Sequence, residues 1–289
     1  MAAVSHERPC SMLLHVADGV ESTMGLLEAR ALVERLGWTN KLRPMAVGAF
    51  VADMLAPARR TIVESEDGLS FYIDPLSNFG RTLVSDGRYE PKTEQLIREH
   101  LAAGDSFLDV GANEGYFSVV AAKIVGLGGY VAAVEPQGRL CDVIRINLAL
   151  NEVHGAVFHG ALGGATGETT ELFHAPALNT GYSSVVKRPK FTRSSETVTF
   201  LDPAGMLGGR ERFALVKVDV EGFEDGVVRS LLPLLQQGKV GALLLDYHAP
   251  ILAARGVDPV AIERSVLDAG MKLVGEYARF GDYRLYVRG

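Results

Sequence analysis

The segment Phe107–Phe117, FLDVGANEGYF, has residue types and a spacing that could bind a small ligand. Asp109 lies near the end of an apolar run, and Gly111, Asn113 and Gly115 follow before a second apolar segment begins. This order predicts a strand, a tight glycine turn and a helix, and such a turn lets a ligand approach the main chain closely. The first amide groups of the helix favour an anionic group such as a carboxylate. We therefore expect a ligand site at this turn.

The spacing of the turn differs from that of dinucleotide-binding turns. Those follow the pattern G-x-G-x-x-G, whose second glycine admits a pyrophosphate. Here Asn113 stands in that place, and Asp109 precedes the first glycine. A carboxylate suits a ligand with a positive end, such as the amino group of S-adenosylmethionine, and suits a pyrophosphate poorly. The turn thus favours S-adenosylmethionine over NAD, and an NAD-type oxidoreductase is the alternative from another class of enzyme.

A second acid follows the next predicted strand, Tyr130–Val134. This strand runs directly into Glu135 and Pro136. An acid at this place in nucleoside-binding folds accepts hydrogen bonds from the ribose hydroxyls. Proline cannot extend a strand ladder, so the strand is expected to stop with Glu135 at the ligand edge of the sheet.

A third predicted strand, Phe213–Val220, carries Lys217 and Asp219 on one face and valines on the other. Charged groups within a buried strand are costly unless they are paired, so we expect Lys217 to form an internal salt bridge. Asp219 and Glu221 lie closer to the carboxyl end of the strand. Ligands bind at that edge in open α/β sheets, so a site role is predicted for both acids.

Asp246, Tyr247 and His248 end another predicted strand at the same edge. Methylation of a hydroxyl requires loss of its proton, and histidine has a suitable pKa for a general base near neutrality. We predict His248, Asp219 and Glu221 as the catalytic residues. Asp219, Glu221 and Asp246 could instead hold Mg²⁺. A metal is not favoured, because the same acids can pair with Lys217 or cap the following helix.

Three of these motifs together resemble the FkbM family of S-adenosylmethionine-dependent methyltransferases. They are DVGANEGYF, the Glu-Pro pair after the second strand, and KVDVEGFE. The segment Gly87–Thr93, GRYEPKT, also resembles the G-x-Y-E-P-x-T element of that family. The resemblance implies a class I, Rossmann-like α/β fold with a seven-stranded, mostly parallel sheet and a terminal antiparallel hairpin. It also implies methyl transfer, commonly to oxygen.

The resemblance further implies which residues bind S-adenosylmethionine, or S-adenosylhomocysteine as the product. The turn and the second strand tip hold the cofactor, and residues of the upstream element cover its methionine end. The predicted cofactor-binding residues are Tyr89, Glu90, Thr93, Asp109, Gly111, Asn113, Gly115, Glu135 and Asp219.

Strands and helices alternate along the part of the chain that must hold these residues. Such alternation predicts a parallel sheet with helices on its faces, and Asp67-Gly68 and Gly281-Asp282 predict two hairpins. We predict a helical and β-hairpin N-terminal extension over residues 1–80 and the cofactor-binding domain over residues 81–289. The other predicted elements are helices at Met24–Leu36, Ala46–Leu55, Glu94–Ala102, Leu140–Leu150, Glu224–Leu235 and Pro259–Ala269, and strands at Ala156–Phe158 and Ala242–Asp246.

Composition excludes several other classes of protein. The 289 residues carry a net charge of −6, whereas general nucleic-acid binding favours a basic domain. Two cysteines are too few for a disulfide scaffold, and no apolar run approaches the roughly 18 residues that span a bilayer. The N-terminus shows no leader pattern. We expect a cytoplasmic enzyme that acts on a small-molecule or glycan acceptor, without nucleic acid or a membrane span.

The sequence leaves the acceptor open. Ala177–Arg193 is a polar and basic segment that is predicted as a solvated loop, or else as a lid over an anionic substrate. Exocyclic-amine methylation of nucleic acid normally goes with an Asn/Asp-Pro-Pro-aromatic tetrad, which the sequence lacks. Transfer to a carboxyl group or to nitrogen and a catalytically silent cofactor-binding protein are the remaining alternatives to O-methylation.

Overall fold

A computed structural model of the protein describes residues 23–36, 54–55, 58–175, 194–277 and 283–289. Its helices and strands largely follow the apolar periodicity of the sequence. In chain order they are α1 Leu26–Leu36, β1 Thr61–Glu64, β2 Ser70–Ile73, α2 Asn78–Asp86, α3 Pro91–His100, β3 Ser106–Val110, α4 Tyr116–Val125, β4 Tyr130–Glu135, α5 Gly138–Leu150, β5 Ala156–His159, β6 Thr169–Phe173, β7 Ser195–Thr199, a 3₁₀ helix Pro203–Leu207, β8 Phe213–Val218, α6 Glu224–Gln236, β9 Val240–Asp246, α7 Ala249–Ala254, α8 Pro259–Asp268, β10 Met271–Tyr277 and β11 Tyr283–Arg288.

Seven strands form the central sheet, in the order β10-β11-β9-β8-β3-β4-β5. Strands β9, β8, β3, β4 and β5 are parallel, and β11 is antiparallel to both β9 and β10. The Rossmann-like sheet with a terminal antiparallel pair, expected from the resemblance, is confirmed. The chain leaves β3 towards β4 on one side and later returns to β8 on the other. Ligands bind at the carboxyl ends of strands at such a switch point.

Alternate residues of the parallel strands face two separate hydrophobic cores. Phe107, Leu215 and Leu244 pack on one face of the sheet with residues of α3, α4 and α5. Their neighbours Leu108 and Val216 pack on the other face with residues of α6 and α8. Side chains alternate between faces with a period of two, so strands covered on both faces are apolar almost throughout.

The β1–β2 hairpin packs against the first of these cores. The rings of Phe71 and Tyr116 stack with centroids 5.1 Å apart, and Arg60 pairs with Glu114 at 2.8 Å. Asn147 of α5 accepts a hydrogen bond from the Tyr72 amide at 2.6 Å. The division of the chain near residue 80 stays a prediction.

Helix α2, strands β6 and β7, the 3₁₀ helix and α7 were not predicted from the sequence. Helix α2 contains Gly80 near its start, which lowers helix propensity, although Ser77 caps it by accepting from the Gly80 amide. Strands β6 and β7 form a separate antiparallel pair. Most of the predicted helix at Ala46–Leu55, and the segment Ala177–Arg193, lie outside the described residues. None of the described helices is long and apolar enough to span a bilayer.

Candidate active site

A cleft with about 750 Å³ of open space lies at the carboxyl ends of β3, β4 and β8. Its wall combines backbone turns, two acidic strand tips and apolar side chains from the neighbouring segments. Of the predicted cofactor-binding residues, Tyr89, Gly111, Asn113, Glu135 and Asp219 line it. The other lining residues are Val110, Val134, Pro136, Gln137, Gly160, Ala161, Leu162, Leu172, Val220, Glu221 and Phe223.

The turn after β3 requires glycine at position 111. Gly111 has a φ of +80°, and a Cβ atom there would lie 1.9 Å from the carbonyl oxygen of Asp219. The backbones at the ends of β3 and β8 therefore approach too closely for any side chain. Asn113 also has a positive φ of +51°, a conformation that asparagine tolerates better than most residues. The turn is held by amides of Gly111 and Ala112, which both donate to the Val134 carbonyl.

Glu135 lies at the tip of β4, as predicted, and is almost wholly buried. Its carboxylate accepts hydrogen bonds from the Asn113 amide at 2.8 Å and from the Gln137 amide at 2.9 Å. Burial raises the pKa of Glu135 to about 7, although these two amides oppose the rise. The side chain of Gln137 also forms a hydrogen bond with Glu135. A carboxylate has about four acceptor sites, so it keeps capacity for a ribose hydroxyl.

Four predicted cofactor-binding residues are not part of the cleft lining that the structure describes: Glu90, Thr93, Asp109 and Gly115. Asp109 is wholly buried and accepts a hydrogen bond from Ser118 at 2.7 Å. Gly115 precedes α4 with a φ of +83°, and Thr93 donates to Glu90 at 3.1 Å. Their contact with a cofactor stays a prediction, and in the structure they support the residues that form the wall.

Lys217 forms the internal ion pair that its position within a buried strand predicts. Its ammonium nitrogen is 3.4 Å from Asp219 Oδ2 and 3.7 Å from Asp109 Oδ1. Burial alone would lower the pKa of Lys217, but the carboxylates of Asp219, Asp109 and Glu90 outweigh it and raise this pKa. The lysine therefore stays charged and fixes both aspartates.

Tyr283, which sequence analysis did not single out, joins the covering element to the end of β8. Its hydroxyl lies 3.1 Å from Glu90 Oε2 and 3.5 Å from Asp219 Oδ2. Glu90 caps α3 with a φ of +43° and is largely buried beside Tyr89. Burial, and then the charge of Asp219, raises the pKa of Glu90. The three predicted residues of this element are thus brought to the Asp219 side of the cleft.

Four carboxylates surround the imidazole of His248. The Nε2 atom is 3.4 Å from Glu221, 3.9 Å from Asp219 and 3.9 Å from Asp246. On the other side of the ring, Nδ1 is 2.8 Å from Oε1 of Glu224. The structure therefore brings the three predicted catalytic residues together and adds two further acids.

The conformation of the chain after β8 directs these acids to one place. Glu221 has a φ of +51° and Gly222 a φ of +97°, so the strand ends in a sharp turn before α6. The Gly222 amide donates to Glu224 Oε1 at 2.8 Å. Sequence analysis missed Glu224, although it is the last residue of the KVDVEGFE motif, and that position was the signal that could have found it.

The cluster perturbs the protonation of its members. Burial opposes protonation of His248, but the hydrogen bond to Glu224 and the charges of Glu221, Asp219 and Asp246 raise its pKa to about 10. Burial, with the charges of Asp219 and Asp246, raises the pKa of Glu221 to about 8. Burial and Asp219 also raise the pKa of Asp246. The imidazole is thus cationic near neutrality in this environment, and a role as general base stays a prediction.

Within the described part of the chain, one group of side chains has the spacing of metal ligands. Asp219, Glu221 and His248 each offer one ligand atom, and these atoms all lie within 4.8 Å of one another. The metal site considered from the sequence consisted of Asp219, Glu221 and Asp246, so the structure differs from it by His248 in place of Asp246.

Known proteins support the class that the fold and cleft indicate. The family model described as "Methyltransferase FkbM domain" matches residues 109–273, which is more than half of the chain. A comparison of this chain with curated protein sequences found no match.

Among solved structures, fibrillarin from Aeropyrum pernix with bound S-adenosyl-L-methionine matches with a TM-score of 0.43 and 12% identity, over 81% of this chain and 86% of that one. The tRNA (uracil-54, C5)-methyltransferase of Pyrococcus abyssi with S-adenosyl-L-homocysteine matches with a TM-score of 0.44 and 14% identity. The match covers 79% of this chain and 44% of that one.

The match to the methyltransferase domain, together with the Rossmann-like sheet and its terminal antiparallel pair, identifies a class I S-adenosylmethionine-dependent methyltransferase. The family match covers the glycine turn, Glu135, the acids after β8 and His248. The chain belongs to the FkbM methyltransferase family.

Proposed function

We propose that this enzyme transfers a methyl group to a hydroxyl oxygen of a small molecule, a natural product or a sugar. The observation that carries the proposal is the cluster at one end of the cleft. Asp219 and Glu221 line the cleft, and Asp246 and His248 lie directly beside them. A hydroxyl must lose its proton when it is methylated, and this end of the cleft supplies groups that take up protons.

The remaining residues of the cleft suit the cofactor. Glu135 keeps acceptor capacity for a ribose hydroxyl, and Gly111 and Asn113 of the turn line the same cleft, where the methionine end of the cofactor is expected. S-adenosylmethionine supplies an electrophilic methyl group on a sulfonium. The hydroxyl oxygen forms the new bond to carbon, the electrons of the broken C–S bond stay on sulfur, and the proton passes to a carboxylate or imidazole of the cluster.

The charge of the cluster favours a neutral acceptor. Asp219, Glu221, Glu224 and Asp246 face one imidazole, so an ionised carboxyl group would be repelled at this place. The net charge of −6 likewise disfavours a polyanionic acceptor. The proposal also includes that the acceptor is not a nucleic acid and that the enzyme acts in the cytoplasm.

The proposal assigns proton transfer to the cluster and substrate positioning to its neighbours. Asp219, Glu221 and His248 are proposed as the catalytic residues, and His248 is proposed as the general base, as the sequence analysis predicts. The carboxylates around His248 favour its protonated form, so a base role requires that some of their negative charge be neutralised.

Methyl-labelled cofactor tests the proposal directly. We would incubate the protein and cell extract with S-adenosylmethionine that carries a deuterated methyl group, and identify labelled products by mass spectrometry. A methyl ether keeps its label in mild alkali, whereas a methyl ester releases labelled methanol. A labelled ether supports O-methylation of a hydroxyl, and an ester or an N-methyl product as the main product overturns it. Boiled protein is the control.

A further inference from the structure

The surroundings of His248 have the arrangement of a metal site. A histidine that binds a metal through one ring nitrogen usually donates its other N–H to a carboxylate, which fixes the tautomer and the ring. Nδ1 of His248 lies 2.8 Å from Oε1 of Glu224, which leaves Nε2 on the side of Asp219 and Glu221. These two carboxylates and Nε2 come from the ends of two adjacent strands.

Glu224 gives a second, independent indication of positive charge at this place. The residue is wholly buried, and its Oε2 atom accepts no hydrogen bond from the described residues. A buried carboxylate with an unsatisfied oxygen is costly unless a cation lies near. The ion-pair partner of Glu224 among the described residues is His248, and it contacts Oε1 and not Oε2. Two nearby cations have other partners: Lys217 also pairs with Asp109, and Arg255 pairs with Asp225 at 2.6 Å.

We propose that Asp219, Glu221 and His248 bind a divalent cation that holds the acceptor hydroxyl next to the cofactor. Two carboxylate oxygens and one imidazole nitrogen suit Mn²⁺, and Mg²⁺ less strongly because of the nitrogen ligand. Three protein ligands leave positions for water and for the acceptor, since these ions take about six ligands. The proposed binding of the ion follows from the geometry of these side chains, whereas its use in catalysis rests on the proposed methyl transfer to a hydroxyl.

The bound cation has two consequences for the acceptor. A hydroxyl on a divalent cation loses its proton more easily and is held at a fixed distance from its neighbours. Two adjacent hydroxyls could chelate the ion, so the proposal names vicinal diols or α-hydroxy carbonyl groups as the substrate class. In this arrangement His248 binds the ion, which replaces the base role proposed for it above, and the proton passes to a carboxylate of the cluster or to water.

Titration of Mn²⁺ into the full-length protein with S-adenosylhomocysteine tests the site without any acceptor. Free Mn²⁺ gives an electron paramagnetic resonance signal that disappears on binding. We expect one Mn²⁺ per chain, and at least tenfold weaker binding in Glu221→Gln and in His248→Gln. Glu196→Gln is the matched control, because Glu196 also pairs with two histidines, at 3.0 Å and 3.3 Å, outside the cluster. Its Mn²⁺ affinity should equal that of the wild type.

Each outcome separates this inference from the proposed function. Absence of stoichiometric Mn²⁺ binding in a wild-type protein that binds S-adenosylhomocysteine overturns the metal site and leaves O-methylation untouched. Equal Mn²⁺ affinity in the wild type and both cluster variants also overturns it. Stoichiometric binding that the cluster variants lose supports the site, even if the labelled product proves to be an ester or an amine. Retained binding of S-adenosylhomocysteine shows that each variant is folded.

Discussion

Nδ1 of His248, the residue before α7, lies 2.8 Å from Oε1 of Glu224, the first residue of α6. This contact joins the segments that follow two neighbouring parallel strands, β8 and β9. Glu224 is wholly buried, so the imidazole is held from behind by a group that solvent cannot displace. The ring orientation is therefore part of the fold, and Nε2 is presented to Asp219 and Glu221 before any ligand binds.

Replacement of Glu135 by alanine should weaken cofactor binding without unfolding the protein. The change removes the proposed acceptor for ribose hydroxyls and also the carboxylate that accepts from the Asn113 amide. The loss should be about 1–3 kcal/mol, the usual cost of unmet partners of a buried hydrogen bond. Calorimetry with S-adenosylhomocysteine measures it, and an unchanged dissociation constant would show that Glu135 does not bind the ribose.

Cofactor affinity should also depend on pH through Glu135. Burial raises the pKa of this residue to about 7, so a growing fraction is protonated as the pH falls below that value. In the proposed binding mode the ribose hydroxyls donate to the carboxylate, so the complex binds this proton less tightly than the free protein does. The dissociation constant of S-adenosylhomocysteine should therefore rise below pH 7, by at most about tenfold per pH unit.

The matched variant for this pH dependence is Glu135→Gln, which keeps the shape of the side chain but does not titrate. It should bind the cofactor more weakly at pH 8, with an affinity that changes little between pH 6 and 8. A wild type and a glutamine variant with the same pH dependence would assign the titration to another group.

The close approach of β3 and β8 predicts that Gly111→Ala is much more harmful than an alanine at another glycine of the same conformation. A methyl group at position 111 meets the main-chain oxygen of Asp219, a residue whose amide is held by its hydrogen bond to the Val110 carbonyl. Gly167 has a φ of +86° with open space around it, so Gly167→Ala should cost only the left-handed penalty of about 1–2 kcal/mol. Urea unfolding of both variants, with similar losses of stability, would contradict this account.

Lys217 should be essential to stability because its ammonium is the ion-pair partner of the wholly buried Asp109 and also pairs with Asp219. Lys217→Met leaves Asp109 wholly buried without its ion-pair partner. Removal of one partner of a buried pair typically costs about 3–5 kcal/mol of the free energy of unfolding. The exposed Lys123 gives the control, since Lys123→Met should change stability by no more than about 0.5 kcal/mol. A stable Lys217→Met variant would show that the aspartates are satisfied in another way.

The sequence predicted the parallel core well because its strands are buried on both faces. Segments such as Phe213–Val218 are apolar apart from residues that pair internally, and such runs between helical periods are distinctive. Strands β6 and β7, TTELF and SETVT, were missed. Each strand buries only one of its residues, and about twenty residues separate the two strands, so no local turn signal joins them.

From the sequence, only the site residues that lie at the ends of parallel strands could be predicted to come together. Parallel strands bring Glu135, Asp219 and Asp246 to one edge, and this follows from topology alone. Tyr283 reaches Asp219 from 64 residues further along the chain. Such a contact depends on the register of β11 against β9, which no local pattern states. The burial of Asp109 beneath the turn was missed for the same reason, because its partner Lys217 lies on another strand.

His248→Ala should lower turnover by roughly 10²–10⁴-fold while the affinity for S-adenosylhomocysteine stays nearly unchanged. His248 is absent from the described lining of the cleft, but it touches Asp219 and Glu221, which line it. The exposed His154 provides the control, and His154→Ala should keep full turnover. Steady-state kinetics with an acceptor identified by the labelling experiment measures both.

The Mn²⁺ affinity of the same variant then decides how His248 acts. A metal ligand predicts that turnover and Mn²⁺ affinity fall together, and that excess Mn²⁺ restores part of the rate. A general base predicts lost turnover with unchanged Mn²⁺ affinity, because a base acts on the acceptor proton and need not hold an ion. A His248→Ala enzyme with full turnover would remove this histidine from the mechanism and leave the carboxylates of Asp219, Glu221 and Asp246 to accept the proton.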